Sequence, residues 1–179
     1  MTTSAAPAAF TAAQHPMNRI DVVTGVEFDE LRTAFERAAP PVDRAAVQRI
    51  IEGGGGWDDV RAAAAINAPN GLMVYATIDA LPLFCLAGHT TKAVEYLLGN
   101  HTIAETMFRH DPRALLYAPL RVLLYEDADG NAVFSMDQPS AAFASLGIAA
   151  VAAVGKDLDR KVVNLLRLIG IDAAAAFGC

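Results

Sequence analysis

Apolar and polar positions change their period several times along the chain, and each change marks an element. Arg19 to Thr24, RIDVVT, is a short β-branched run that predicts a first strand. Between Glu27 and Ala38, Phe28, Leu31 and Phe35 recur at helical spacing with Arg and Glu between them. Ala39-Pro40-Pro41 stops that helix, because proline supplies no backbone donor and clashes with the preceding turn. A second helix carries Val42, Val47, Ile50 and Ile51, and a third runs from Trp57 to Ile66 after the glycine run 53–56. Asn67 to Gly71 is a turn cluster.

The pattern then becomes strand-like. GLMVYATID (71–79) is apolar and β-branched, and AVEYLLGN (93–100) alternates with Val94, Tyr96 and Leu98 on one face. In LRVLLYEDADGNAVFSMD (120–137), two β-rich runs flank an Asp129-Gly130 turn, the signature of a hairpin. Pro139 to Ser145 predicts one or two helical turns. Ala150 to Ile169 predicts a long helix with Val151, Val154, Leu158, Val162 and Leu165 in a stripe and Gly170 at its C-terminal cap. Strands and helices partly segregate, so the expected fold is two-layer α+β: a mainly antiparallel sheet with helices packed on one face. Residues 1–18, rich in Ala and Thr with little apolar mass, are expected to form a mobile tail, and 19–179 one α+β domain.

Composition narrows the function classes. The chain has 179 residues, enough for a substantial core, and its 54 % apolar content is inflated by alanine. Net charge is -6 with no basic stripe interleaved with aromatics, which argues against a nucleic-acid partner. No apolar run reaches the roughly 18 residues of a membrane span, and the N-terminus lacks the basic start and apolar core of a secretory signal. Two cysteines, Cys85 and Cys179, without a CxxC pair, fit free thiols in the cytoplasm. The GGGG run lacks a preceding strand and a following Gly-Lys-Ser/Thr, so it is a flexible break and not a phosphate loop. No nucleophile elbow, HExxH or dinucleotide fingerprint occurs.

The block from Tyr96 to Gly147 resembles the bacterial domain of unknown function family number 302. That family's pattern is a strand ending in Gly-Asn-Pro, a helix, a Leu-Pro-Leu-Arg-Val strand, an acidic hairpin and a Pro-containing turn. Similar features here are Gly99-Asn100, the helix from His101, Ala118-Pro119-Leu120-Arg121-Val122, Glu126-Asp127 through Gly130, and Asp137 to Ser140. GLMVYATID is similar to its Gly-Phe-x-Val-x-x-x-Ile-Asp strand, and the resemblance spans about residues 19–170. It implies a compact α+β domain, commonly a homodimer, and no established activity. The departure is His101, where the family pattern has proline.

That departure is the sharpest chemical feature. Asn100 is a good N-cap, Gly99 permits a sharp turn, and His101 takes the first helical position, where proline is favoured. The positive end of the helix dipole disfavours imidazolium there, leaving a neutral ring able to hold a small ligand, a metal ion, haem iron or a proton. Glu105 and Phe108 follow at i+4 and i+7 and are expected on the His101 face, with Ile103, Met107 and His110 on the core side. In a plain structural reading, His101 is a solvated helix-start residue and Glu105 complements the dipole. Arg121, inside an apolar strand, is either an anion-binding group or an ion-pair partner of Glu126 or Asp127 on the outer face. Cys85 and His89 stand four apart, but Gly88 argues that any helix ends between them. Met73, Tyr75, Phe84, Met107, Phe134 and Met136 read as core. Three functions remain open: a dimeric small-ligand-binding protein with a pocket near Gly99-Asn100-His101, a haem- or metal-dependent enzyme using His101, and a protein-interaction module presenting its uncovered sheet face.

Overall fold

In the computed structural model, which describes residues 8–179, five strands form one antiparallel sheet. The chain runs β1 (Arg19–Val23), α1 (Phe28–Ala38), α2 (Arg44–Glu52), α3 (Trp57–Asn67), β2 (Met73–Asp79), α4 (Leu81–Phe84), β3 (Ala93–Gly99) and α5 (His101–Phe108). It continues through β4 (Leu120–Glu126), β5 (Ala132–Asp137), α6 (Pro139–Ala144), α7 (Ala149–Leu168) and α8 (Ala174–Phe177). The α+β class is therefore as its pattern predicts. The first seven residues of the expected tail lie outside the described residues.

Sheet order is β1-β5-β4-β3-β2, which puts the β4–β5 hairpin at the centre and β1 on one edge. Gly130 has φ 83° in the hairpin loop, and Asp127 Oδ1 accepts from the amides of Asp129 and Asn131. Alternation fixes which face is covered. Val94, Tyr96 and Leu98 of β3 and Val122 and Leu124 of β4 are buried with Phe134 of β5. Phe35 of α1 stacks 4.9 Å from the Tyr96 ring and 6.3 Å from the Phe134 ring. The expected stripe of α7 is the buried one, including Val151, Leu158, Val162 and Leu165. Gly155 belongs to it for a steric reason: a Cβ there would stand 3.0 Å from Phe143 Cβ and 3.1 Å from Ser140 Cα. A smaller cluster of Ala64, Ala68 and Met73 joins α3 to β2.

Two residues expected on the core side fall outside the core: His110, exposed just past the end of α5, and Phe84. Phe84 is 53 % exposed, because the β2–β3 connection projects a short helical turn with Leu83 and Leu86 also exposed. Gly88 ends that turn with φ 84°, and both cysteines are free and exposed. No helix among the described residues is long and apolar enough to cross a membrane.

Candidate functional site

The site begins with an irregularity in β2. Val74 pairs with Leu98 and Ala76 with Leu97, so Tyr75 is a bulged residue without a cross-strand partner. A bulge frees a side chain from the pleat and re-aims it. The carbonyl that loses its ladder partner accepts instead from Arg44 Nη2 at 2.7 Å, at the start of α2. The Tyr75 ring lies against Gly99, where a Cβ would sit 3.7 Å from Tyr75 Cε2 and 3.5 Å from Pro119 Cβ. A Cβ at 99 would therefore only touch the two side chains, so Gly99 lies in close packing with both.

Asn100 turns the chain from β3 into α5. Its Oδ1 accepts from Thr102 N at 2.9 Å and from Thr102 Oγ1 at 2.8 Å, and its Nδ2 donates to Gly71 O at 3.1 Å. One amide thus caps the helix and ties it to the turn before β2. His101 is the first helical residue, as its position in the sequence predicts. Its Nδ1 lies 2.8 Å from Tyr75 Oη, and the two rings meet edge to face at 6.4 Å and 88°. The other ring nitrogen, Nε2, is buried and has no hydrogen-bond partner among the described residues.

Tyr75, Asn100 and His101 line a cavity of about 220 Å³ at the end of the sheet. The rest of its wall is apolar, including Ile103, Ala104 and Met107 of α5, Pro119, and Leu158 of α7. Burial lowers the His101 imidazole below its ordinary value, so the ring is neutral near pH 7. The helix dipole favours the same charge state, and burial is the cause of the shift. Burial also raises the Tyr75 phenol, against a hydrogen bond from the His101 backbone and the charge of Arg44, so the phenol keeps its proton.

Of the residues singled out from sequence, the structure brings Asn100 and His101 to this cavity and leaves three others away from it. Glu105 is not a partner of His101. It pairs with Arg109 one turn on, the ordinary i,i+4 arrangement of an exposed helix face. Phe108 is 48 % exposed and does not line the cavity. The face that does is the one carrying Ile103, Ala104 and Met107, because α5 packs its His101 side inward against α7. Arg121 lies on the opposite, uncovered face of the sheet, 3.2 Å from Glu95 on the neighbouring strand and not beside Glu126 or Asp127. Tyr75, which composition alone assigns to the core, is the residue sequence reasoning missed. Among the described residues, no group of three His, Cys, Asp or Glu side chains is placed to hold a metal ion, so a metal at this site would have His101 as its protein ligand.

Comparison with known proteins gives one family and one fold. The family model for the domain of unknown function DUF302 matches residues 58–169, a span that contains Tyr75, Asn100, His101 and Leu158 and leaves β1, α1 and α2 outside. An uncharacterized conserved DUF302 protein from Bacillus stearothermophilus has a similar crystal structure, with a TM-score of 0.60 and 12 % identity over 84 % of this chain and 97 % of that one. No curated protein matches the chain.

Proposed function

This chain belongs to the DUF302 family, and with that fold as the scaffold we propose that it is a small-molecule-binding protein whose site is the Tyr75–His101 cavity. The observation that carries the reading is the cavity itself, an almost wholly apolar space of about 220 Å³ with Tyr75, Asn100 and His101 in its wall. A mostly apolar pocket with a few polar groups in its wall is the ordinary form of a small-molecule site. Size bounds the ligand. A dry cavity of about 150 Å³ takes benzene, so 220 Å³ suits a substituted ring or a short branched chain. Rigid elements hold the wall, with β3, α5 and α7 each contributing residues, so the space is largely preformed.

This reading is preferred to a metal or haem site on the chemistry of the donor set. A metal-binding imidazole normally donates its second N–H to an acceptor. Here the second nitrogen faces a phenol, which is the better donor of the two. A homodimer is proposed on a separate observation: the uncovered face carries exposed Val23, Ile78 and Leu123 together with Arg121 and Glu95. Its test is the mass of the protein in solution.

The binding reading is tested by titrating ethylbenzene into the protein and following the Met107 methyl and the His101 ring by NMR. Saturable shifts at both are expected in wild type and are expected to vanish in Ala104→Phe, which fills the cavity. Absence of saturation, or equal saturation in the filled variant, contradicts the site. A circular dichroism spectrum of Ala104→Phe controls for the fold.

A further inference from the structure

We propose that a second site, separate from the Tyr75–His101 cavity, binds a phosphate monoester carried on a compact apolar body. It is the open groove between the C-terminal half of α7 and the turn that leads into β2, and it holds about 640 Å³. One wall is a stripe of α7, where Lys161, Asn164, Leu165 and Leu168 recur at i, i+3, i+4 and i+7. The other wall is the end of α3 and the turn after it, with Ala65, Pro69 and Gly71. A smaller depression of about 280 Å³ shares Asn70 and Leu168 with this groove and adds Arg37 of α1. Arg37, Asn164 and Arg167 are exposed, and the Lys161 side chain is one-third exposed, so a solute can reach them.

Charge sets the groove apart. Lys161, Arg167 and Arg37 line the two depressions and, among the described residues, no carboxylate does, in a chain whose net charge is -6. Among the described residues Arg37 and Arg167 form no ion pair. Arg167 Nη1 donates to Asn164 Oδ1 at 3.2 Å. Lys161 Nζ stands 3.9 Å from Asp157 Oδ2, but the other oxygen of that carboxylate accepts from Arg160 at 3.1 Å, so one acid serves two cations. Helix dipoles alone do not account for this set. α1, α3 and α7 all end at the groove, and each C-terminus carries roughly −0.5 elementary charge, about −1.5 for the three, against three full positive charges. Carbonyls at these ends are already engaged: Asn70 Nδ2 donates to Ala38 O at 2.9 Å, and Gly71 N donates to Ala68 O at 2.8 Å. Lys161 also precedes the last turn of α7, over which the dipole acts. A surplus of positive charge remains.

That surplus defines the ligand. A cation is repelled, and a neutral molecule gains nothing from the three basic groups. A phosphate monoester carries about −1.5 to −2 charges at neutral pH, which matches the surplus better than a single carboxylate does. Guanidinium forks suit its oxygens, and a lysine adds a point charge. The Lys161 ammonium lies over the turn, since a Cβ at Gly71 would stand 3.4 Å from Nζ. Inorganic phosphate fills only a small part of the groove. Leu165 and Leu168, with Ala65 and Pro69 opposite, give the remaining space an apolar lining, so the anion is expected to carry an apolar body that rests there.

The test titrates phenyl phosphate, phenol and inorganic phosphate separately into the full chain and follows the Leu165, Leu168 and Met107 methyl groups by NMR. Phenyl phosphate is expected to give saturable shifts at Leu165 and Leu168 and none at Met107, which reports the other cavity. Phenol and inorganic phosphate are each expected to bind the groove more weakly, and added sodium chloride is expected to lower the affinity for phenyl phosphate. Lys161→Gln and Arg167→Gln are each expected to weaken phenyl phosphate roughly three- to tenfold. Both positions are open to solvent, and circular dichroism controls for the fold. Absence of saturation at Leu165 and Leu168, an affinity unchanged in both variants, or equal binding of the groove by phenol or by inorganic phosphate overturns the proposal.

Discussion

Tyr75–His101 and Tyr117–His15 bring the same two side-chain types together in two parts of the molecule. The rings meet edge to face in each, at 6.4 Å and 6.0 Å, and each histidine has one buried nitrogen without a partner among the described residues, Nε2 of His101 and Nδ1 of His15. Their surroundings differ. Tyr75 sits on a bulged strand and His101 at a capped helix start. His15 belongs to the segment before β1, and Tyr117 follows a short 3₁₀ segment, Pro112–Leu116. Tyr117 Oη lies 3.1 Å from His15 Nε2 and 3.3 Å from Ser145 Oγ, and Ser145 Oγ donates to Ala142 O at 2.6 Å. Its proton thus has two acceptors, Nε2 and Oγ, whereas that of Tyr75 has one. Isolation of a phenol from other hydroxyls is what commits its proton, and with it the tautomer of the histidine. The second pair ties the segment before β1 to α6, and the first completes a cavity.

Four perturbations sharpen this contrast or break it. The largest concerns Phe143, which is fully buried and packs edge to face on Tyr117 at 6.0 Å. Phe143→Ala is expected to cost about 3–5 kcal/mol in chemical denaturation. In the remaining folded state, the His15 ring resonances should change and those of His101 should hold. Movement of both together would show that the pairs are one coupled network.

Tyr75→Phe comes next. It removes the donor from Nδ1 and leaves both nitrogens of a buried imidazole unmet, at a cost of about 1–3 kcal/mol. Tyr117→Phe is expected to cost less, about 0.5–1.5 kcal/mol, because Ser145 keeps its bond to Ala142. Equal losses in these two variants would erase the distinction between a site and a tether.

The smallest effect is on pH dependence. Burial lowers the folded-state pKa of His101 below the ordinary value of 6.5. Between the two values the unfolded chain binds a proton that the folded chain does not. The contribution of His101 to stability is therefore full above about pH 6.5 and is lost as pH falls through that value toward the folded pKa. Denaturation at a series of pH values should show wild type losing more stability than His101→Pro on acidification from neutrality. Parallel curves would mean that the ring is as well solvated folded as unfolded.

Much of this architecture is legible in local pattern. Val94, Tyr96 and Leu98 announce β3, Asp129-Gly130 announces the hairpin, and Asn100 followed by His101 marks the helix start, because each signal lies within a few residues of what it specifies. The site is half legible for the same reason. Asn100 and His101 are local features, but the partner of His101 depends on a bulge in a strand 26 residues earlier. Nothing in MVYATID marks where the pleat breaks, so Tyr75 reads as one more core aromatic. Helical spacing likewise places Glu105 and Phe108 near His101 in angle, yet which side of α5 turns inward is decided by α7, far along the chain. Phe84 reads as buried by type, and only the length of the β2–β3 connection exposes it.

A phenol is the stronger acid and an imidazole nitrogen the stronger base, so Tyr75 donates to Nδ1 and holds His101 as a neutral imidazole with its hydrogen on Nε2. A long-range ¹H–¹⁵N correlation spectrum of the ring nitrogens, recorded on the unliganded protein above neutral pH, reads this state directly. A protonated, pyrrole-type Nε2 and an unprotonated Nδ1 are expected for His101. A proton on Nδ1, or a rapidly averaging pair of nitrogens, would contradict it.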